Sequence, residues 1–179
     1  MHHTDFAGEA LHGKWQDVLR APDGTELWRS PVKPNAIVVD CRRILAAFVA
    51  GKPSLGIQGM QFGAGNPAWD GGPSPAATPA QTALVDPFPL MVPAANLQID
   101  FVDGLGVVSA TPTNRVQIVA SLGAGVPPWP DGNHVSGSLR EFGLVGQLAG
   151  APALINYVIH PVINKDAAST LERTLWLVF

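Results

Sequence analysis

The residue types that most often do chemistry in proteins are few in this sequence and do not occur at catalytic spacings. No two histidines have the His-x-x-x-His or Glu-x-x-His spacing that places two metal ligands on one helix face. The five are His2, His3, His12, His134 and His160. The Ser-x-x-Lys match that begins at Ser30 is followed by Pro34, which biases Lys33 away from the helical geometry the motif needs. Because Gly-x-Ser-x-Gly is also missing, we expect no catalytic residues and no metal site.

The glycine-rich fragments are equally poor candidates for a cofactor site. Gly63-Ala64-Gly65 and Gly123-Ala124-Gly125 do not continue to the third glycine that opens a nucleotide-binding helix. Asp70 and Asp131 lie in turn sequences with too few oxygen ligands for Ca²⁺, which takes about 6–8. The single cysteine, Cys41, excludes an intrachain disulfide and falls on the apolar side of a predicted helix, where a thiol is usually buried. We therefore expect no cofactor.

Composition excludes several classes of partner. Charged residues make up only 14% of the 179, the net charge is -3, and the 11 basic side chains are scattered. This pattern lacks the basic stripe that binds nucleic acid or anionic lipid. No apolar run reaches the roughly 18 residues of a membrane helix, and the N-terminus lacks the features of a secretory signal. We expect one domain made in the cytoplasm, with no nucleic-acid partner and no membrane insertion.

The elements that must position any functional residue begin with an arm, a hairpin and a helix. We expect residues 1–13 to form a flexible or partner-ordered arm. Two short runs, 15–19 and 25–28, flank the turn sequence Ala21-Pro22-Asp23-Gly24 and predict a β-hairpin. Asn35 suits the N-cap, and Gly51 the C-terminal end, of a helix over about 36–50. Its apolar stripe consists of Ile37, Cys41, Ile44, Leu45 and Phe48.

The rest of the chain predicts strands joined by turn-rich loops. Apolar residues alternate with polar ones, as in half-buried antiparallel strands. The predicted strands are 55–63, 97–101, 115–122, 138–145, 153–160 and 171–179, and the long loops are 63–79 and 123–133. These patterns favour a mainly β fold: an antiparallel β-sandwich-like domain with one packed α-helix and long Gly/Pro-rich loops.

The tryptophans indicate an interaction surface. Trp15, Trp28, Trp69 and Trp129 fall in the hairpin and in the two long loops, where one chain has difficulty burying a large ring. Large aromatic side chains on protruding elements are typical of protein interfaces. Packing of each loop against the sheet is the alternative for each ring taken alone, but their joint placement favours contacts with other proteins.

Two blocks of this sequence resemble the attachment domains of phage tail-collar and tail-fibre proteins. The first runs from Ile57 to Gly65 and is followed by Pro75, Ala80-Gln81-Thr82 and Leu84-Val85. The second is Leu139-Arg140-Glu141-Phe142-Gly143-Leu144-Val145, followed by a glycine turn and two strands. Within the second block, Arg140 and Glu141 are expected to pair with neighbours along a strand edge, Phe142 to enter the core, and Gly143 to permit close backbone approach.

The resemblance implies a non-enzymatic structural protein of a phage tail or of a related contractile injection system. It divides the chain into an N-terminal arm and Trp-bearing hairpin, 1–33, and a tail-collar-like domain, 34–179. The sequence ends directly after this domain, so we expect no fibre shaft within it and favour a baseplate-peripheral or fibre-adaptor subunit. Its expected partners are other tail or baseplate proteins and further copies of the chain, with a trimer favoured. The expected contact residues are Trp15, Trp28, Trp69, Trp129, Arg140 and Glu141.

One alternative from another functional class stays open at this point. A carbohydrate-binding β-sandwich module presents loop tryptophans on which sugar rings stack. Trp69 and Trp129 are the residues that would serve this purpose here.

Overall fold

The computed structural model describes residues 11–179 and confirms the mainly β, antiparallel fold with a single α-helix in that range. The helix, α1, is Val39–Val49. The strands are β1 (His12–Arg20), β2 (Glu26–Arg29), β3 (Lys33–Ile37), β4 (Ser54–Gly63), β5 (Leu90–Pro93), β6 (Leu97–Phe101), β7 (Arg115–Leu122), β8 (Ser138–Leu148), β9 (Ala151–Leu154), β10 (Asn156–Asn164) and β11 (Thr170–Val178). The arm predicted over 1–13 lies almost entirely outside the described residues.

All 11 strands belong to one antiparallel sheet. Its order is β5-β4-β8-β10-β3-β1-β11-β7-β6, while β2 pairs with β1 and β9 with β8. The two ends of this order, β5 and β6, are consecutive along the chain and are separated only by the 3-10 turn Ala94–Asn96. The sheet therefore curls until its two ends come near each other, and the apolar faces of the strands enclose a common core.

Local signals account for the hairpin and for the end of the helix. The hairpin of β1 and β2 turns at Gly24, whose positive φ of 86° is strained for other residues. At the end of α1, the Gly51 N–H donates to Phe48 O and the Lys52 N–H to Ala47 O. This pair of bonds around a glycine with φ of +63° is a Schellman motif, so the predicted role of Gly51 is confirmed.

The predicted start of the helix is wrong. Val38 is the N-cap and makes no side-chain cap bond, while Asn35 lies inside β3. Pairing with β1 and β10 holds residues 33–37 extended on both sides, and these tertiary contacts override the local preference of Asn35 for a cap. Residues 90–93 also form a strand, β5, that the sequence pattern did not predict.

The core lies inside the curled sheet. Leu171, Leu175 and Leu177 of β11 are at most 1% exposed, as their alternation predicts. Phe142 of β8 is fully buried, as predicted. Gly143 allows the predicted close backbone approach, since a Cβ there would lie 2.6 Å from Asn156 O. β1 pairs with β11 over its whole length, so this part of the region before residue 34 belongs to the same sheet as the rest of the domain.

Candidate interaction surfaces

Arg140 lies at the start of β8 and holds the first long loop. Its Nε and Nη2 atoms donate to the two carboxylate oxygens of Asp70 at 2.8 and 2.7 Å, and Nη1 donates to Ala64 O at 2.9 Å. These bonds from the guanidinium lower the pKa of Asp70 below its ordinary value. A bidentate pair of this kind fixes orientation as well as distance. Arg140 therefore ties residues 64–70 to the sheet.

Glu141, the next residue, binds a later part of the connection between β4 and β5, at residues 85 and 86. It is fully buried, and its carboxylate accepts hydrogen bonds from the backbone N–H of Val85 (3.0 Å) and Asp86 (2.7 Å). The hydroxyl of Tyr157 on β10 donates to it at 2.5 Å. Burial, followed by the contact with this carboxylate, raises the pKa of Tyr157 above its ordinary value. The buried carboxylate thus connects residues 85 and 86 to strands β8 and β10.

Asp86 extends these contacts to the second long loop. Its Oδ2 accepts from Ala64 N–H at 2.8 Å and lies 3.0 Å from His134 Nε2. The other ring nitrogen of His134 lies 2.9 Å from Asp131 Oδ1. We call Asp70, Asp86, His134, Arg140 and Glu141 the loop anchor.

The prediction that Arg140 and Glu141 pair along a strand edge is wrong. β8 lies between β4 and β10 in the sheet, and the two residues are 7% and 0% exposed. Both side chains are buried away from any strand edge, because residues 64–70 and 85–86 fold over this end of β8. In this single chain they are internal anchors, and the interface contacts expected of them are not available at the surface.

Two of the predicted tryptophans pack against the loop anchor. Trp69 is half-buried and covers Gly65, where a Cβ would lie 2.6 Å from the ring. Trp129 is also half-buried and stacks on His134, with 3.8 Å between ring centroids and 20° between planes. Each loop thus brings one large ring to the same end of the molecule. Their expected roles in contacts with other molecules stay predictions.

The other two predicted tryptophans have different surroundings. Trp28 on β2 is 44% exposed. Trp15 is only 3% exposed and meets Phe142 edge-on, with centroids 5.5 Å apart. The expectation that one chain has difficulty burying the ring of Trp15 is wrong, because β1 lies inside the sheet, between β3 and β11, and points this side chain into the core.

A buried charge cluster beside Trp15 was not predicted. Arg173 and Asp17 are both fully buried, and Nε and Nη2 of Arg173 donate to the two oxygens of Asp17 at 2.7 and 2.5 Å. The guanidinium carbon lies 3.8 Å from the ring centroid of Phe142. A signal for it exists in the sequence, since Arg173 has the same alternation as the inward-facing Leu171 and Leu175. The carboxylate that neutralises it is 156 residues away along the chain.

His160 completes this cluster and is predicted to make stability depend on pH. It is 2% exposed; Nδ1 lies 2.8 Å from Pro161 O, and Nε2 lies 3.1 Å from Arg173 Nη2. A carbonyl only accepts and a guanidinium only donates, so this geometry selects the neutral ring with its proton on Nδ1. Burial, and then the charge of Arg173, lower the pKa of His160 well below its ordinary value.

The sign of the pH effect follows from that shift. As pH falls through about 6.5, the unfolded chain binds a proton at this histidine that the folded chain does not, so stability falls. The slope from one such group is at most about 1.4 kcal/mol per pH unit. Urea unfolding between pH 7.5 and 5 is expected to show this loss and to show less of it in His160→Gln. An equal pH dependence in the two proteins would contradict the assignment.

An apolar groove of about 350 Å³ opens on another part of the molecule. It lies between α1, the first half of β4, and β6, and its lining is Cys41, Ile44, Leu45, Gly56, Ile57, Ile99, Asp100, Phe101, Val116, Ile155, Leu177 and Phe179.

Burial raises the pKa of the Cys41 thiol to about 11, so this cysteine is a packing residue, as predicted. The predicted helix stripe is only partly buried: Ile44 is 6% exposed, but Phe48 is 74% exposed.

Among residues 11–179, no three His, Cys, Asp or Glu side chains are grouped so that they could hold a metal ion. In the same part of the chain, no helix has the length and apolar character needed to cross a membrane. Comparisons of the chain with protein-family models, with curated proteins and with solved structures find no match.

Proposed function

We propose that this protein is a non-enzymatic structural subunit of a phage tail or of a phage-tail-like contractile injection system. Its place is baseplate-peripheral or that of a fibre adaptor, and its work is to dock on neighbouring tail proteins. Copies of the chain meet around a symmetry axis of the particle, with a trimer favoured. The protein is assembled into the particle in the cytoplasm of the producing cell.

The observation that supports this proposal most is that the two blocks resembling tail-attachment domains are in direct contact. Met60 and Phe62 of the first block lie opposite Leu144 and Phe142 of the second, on neighbouring strands. Val85, from the element that follows the first block, donates its N–H to Glu141 of the second. Residues far apart in the sequence thus form one unit, as they would if the resemblance reflects a common domain.

The chemistry of the loop anchor also suits a structural role. Its charged groups bond to one another and to backbone atoms, and they hold two loops rich in glycine and proline at one end of the sheet. Rigid loops on a stable scaffold are a common way to build a binding surface, because less chain entropy is lost when the partner binds. Exposed apolar side chains near these loops, such as Val135 (95%) and Phe88 (57%), extend that surface.

Isolation of the tagged protein from its native lysate tests the proposal. Gentle affinity purification, mass spectrometry of the proteins retained and negative-stain imaging of the eluate are expected to show sheath, tube and baseplate proteins on tail-shaped particles. Recovery of the chain without any such proteins would contradict the proposal. Binding of the isolated chain to soluble glycans, lost in Trp69→Ala or Trp129→Ala, would favour the carbohydrate-binding alternative.

Trp28 provides a point mutation for the same experiment. It is the one predicted contact tryptophan with a largely accessible ring, so Trp28→Ala is expected to reduce recovery of tail proteins several-fold without unfolding the chain. Leu105→Ala is the matched control, since Leu105 is 90% exposed and was not predicted as a contact. An equal reduction in both variants, or in neither, would remove Trp28 from the interface.

A further inference from the structure

The last turn of α1 exposes large apolar side chains next to the apolar groove. Phe48 is 74% and Val49 86% exposed, although surface helices normally turn polar side chains to solvent. They follow Leu45 by three and four residues, and residues at these spacings are neighbours on a helix surface. Leu45 itself lines the groove. The exposed side chains and the groove are therefore one continuous surface, and we call Leu45, Phe48, Val49 and the groove lining the helix face.

The helix face is about as large as the apolar part of a protein interface. At roughly 200 Å² for a fully exposed aromatic residue, its three phenylalanines expose roughly 300 Å² in all: Phe48, Phe101 and Phe179. The aliphatic side chains raise this area to roughly 500 Å², chiefly through Leu45, Val49 and Ile99. A standard interface buries roughly 800 Å² on each partner, of which about 57%, or roughly 450 Å², is apolar. The helix face is large enough to supply that area.

The helix face carries both a projection and a recess. Phe48 projects from the end of α1, and the groove has a volume of about 350 Å³. An apolar cavity of about 150 Å³ is already sufficient to bind benzene, so the groove can hold a phenyl ring. In a two-fold contact each copy offers the same patch to the other, so each Phe48 ring can enter the groove of the opposite copy. One surface thus supplies both halves of the contact.

The charges of the helix face are complementary in the same arrangement. Arg42 of α1 is exposed and has no ion pair with any residue of the described range 11–179. Asp100 is the one acidic residue among the described residues that line the groove. A two-fold contact can bring Arg42 of each copy beside Asp100 of the other. The net charge of -3 is small, so general repulsion between two copies is weak.

We propose that the helix face is a two-fold contact between two copies of this chain, with Phe48 of each copy in the groove of the other and Arg42 of each beside Asp100 of the other. Removal of exposed apolar surface from water drives the association. This contact is additional to any contact around the symmetry axis of a particle, because neither Trp28 nor the loop anchor lines the groove. The inference does not depend on the proposed function.

Light scattering on the size-fractionated, full-length chain, over a series of concentrations, tests this proposal. The unchanged protein is expected to have twice the mass of one chain and to dissociate on dilution. Phe48→Ser is expected to weaken the dimer at least tenfold, because a buried aromatic anchor is lost from each copy. Phe88→Ser is the matched control, since Phe88 is 57% exposed but does not line the groove. Circular dichroism checks that each variant is folded.

An exchange of charges tests the reciprocal geometry. Arg42→Glu alone and Asp100→Arg alone are each expected to dimerise poorly, because each variant places like charges opposite one another. An equal mixture of the two variants is expected to dimerise as well as the unchanged protein. In the mixed dimer, both contacts again join opposite charges.

Each outcome decides for or against the contact. A dimer that is lost in Phe48→Ser, kept in Phe88→Ser and restored in the mixture of charge variants supports the proposal. An unchanged protein that is monomeric at every concentration overturns it, and so does a dimer that persists in folded Phe48→Ser. A mixture that dimerises no better than its separate components overturns the reciprocal contact. A failed test leaves the tail-particle experiment unaffected, because that experiment measures co-purifying proteins.

Discussion

Asp17→Ala is expected to lower the free energy of unfolding by about 3–5 kcal/mol, the largest effect of any single substitution considered for this protein. The reason is the buried guanidinium of Arg173. It donates two hydrogen bonds to carboxylate oxygens, and both go to Asp17. Loss of the carboxylate leaves a charge inside the sheet without a counter-ion. The cluster's remaining polar neighbour, His160, offers a neutral nitrogen and no charge. Urea unfolding followed by tryptophan fluorescence at pH 7.5 measures the change.

Two further variants test whether the unpaired charge causes the loss. Asp17→Leu combined with Arg173→Met removes both charges and is expected to regain most of the stability, because apolar residues of similar volume often replace a buried ion pair at little cost. Glu172→Ala, which removes a half-exposed carboxylate next to Arg173 in sequence, is expected to change stability by less than about 0.5 kcal/mol. A loss below about 1 kcal/mol in Asp17→Ala would mean that the pair contributes little.

Glu141→Ala is the second large effect, expected to cost about 3 kcal/mol because each buried donor left without a partner costs about 1–3 kcal/mol. Three donors depend on this carboxylate: the N–H groups of Val85 and Asp86 and the hydroxyl of Tyr157. The first two belong to the connection between β4 and β5, so this connection is expected to loosen before the sheet does. Unfolding measures the energy, and hydrogen exchange of 84–88 locates the loosened segment.

Graded substitutions divide this effect among the bonds. Tyr157→Phe removes one donor and leaves both backbone bonds, so it is expected to cost about 1 kcal/mol and to leave exchange in 84–88 unchanged. Glu141→Gln keeps one acceptor oxygen and is expected to be intermediate. If Glu141→Ala accelerated exchange in β11 as much as in 84–88, Glu141 would support the whole sheet and not the loop in particular.

Several features of the fold follow from local sequence. Alternation of apolar and polar residues located β7, β8 and β11, because successive side chains of a strand point to opposite faces whatever the strand pairs with. The turn at Gly24 and the helix end at Gly51 were also predictable, since a positive φ is strained for most other residues. The burial of Cys41 followed from its place on the helix stripe.

The candidate surfaces depended much more on tertiary contacts. The sequence identified Arg140 and Glu141 as members of a recognisable block, but not that loops from 64–70 and 85–86 cover them. It identified Trp15 as a large ring on a hairpin, but not that β1 lies between β3 and β11. The place of β6 at one end of the sheet order is likewise a result of strand pairing, which no run of residues near β6 encodes.

By itself, then, the sequence determined that this protein is a mainly β domain with one helix and long turn-rich loops, because side-chain periodicity, helix ends and positive φ are local properties. Only the tertiary structure decided which charges are buried, which tryptophans remain accessible and how the strands are ordered in the sheet. Burial and pairing depend on what another segment covers. For Arg173 the alternation of β11 indicates an inward-facing side chain, but the carboxylate of Asp17 that neutralises it lies 156 residues away, and no local pattern identifies that partner.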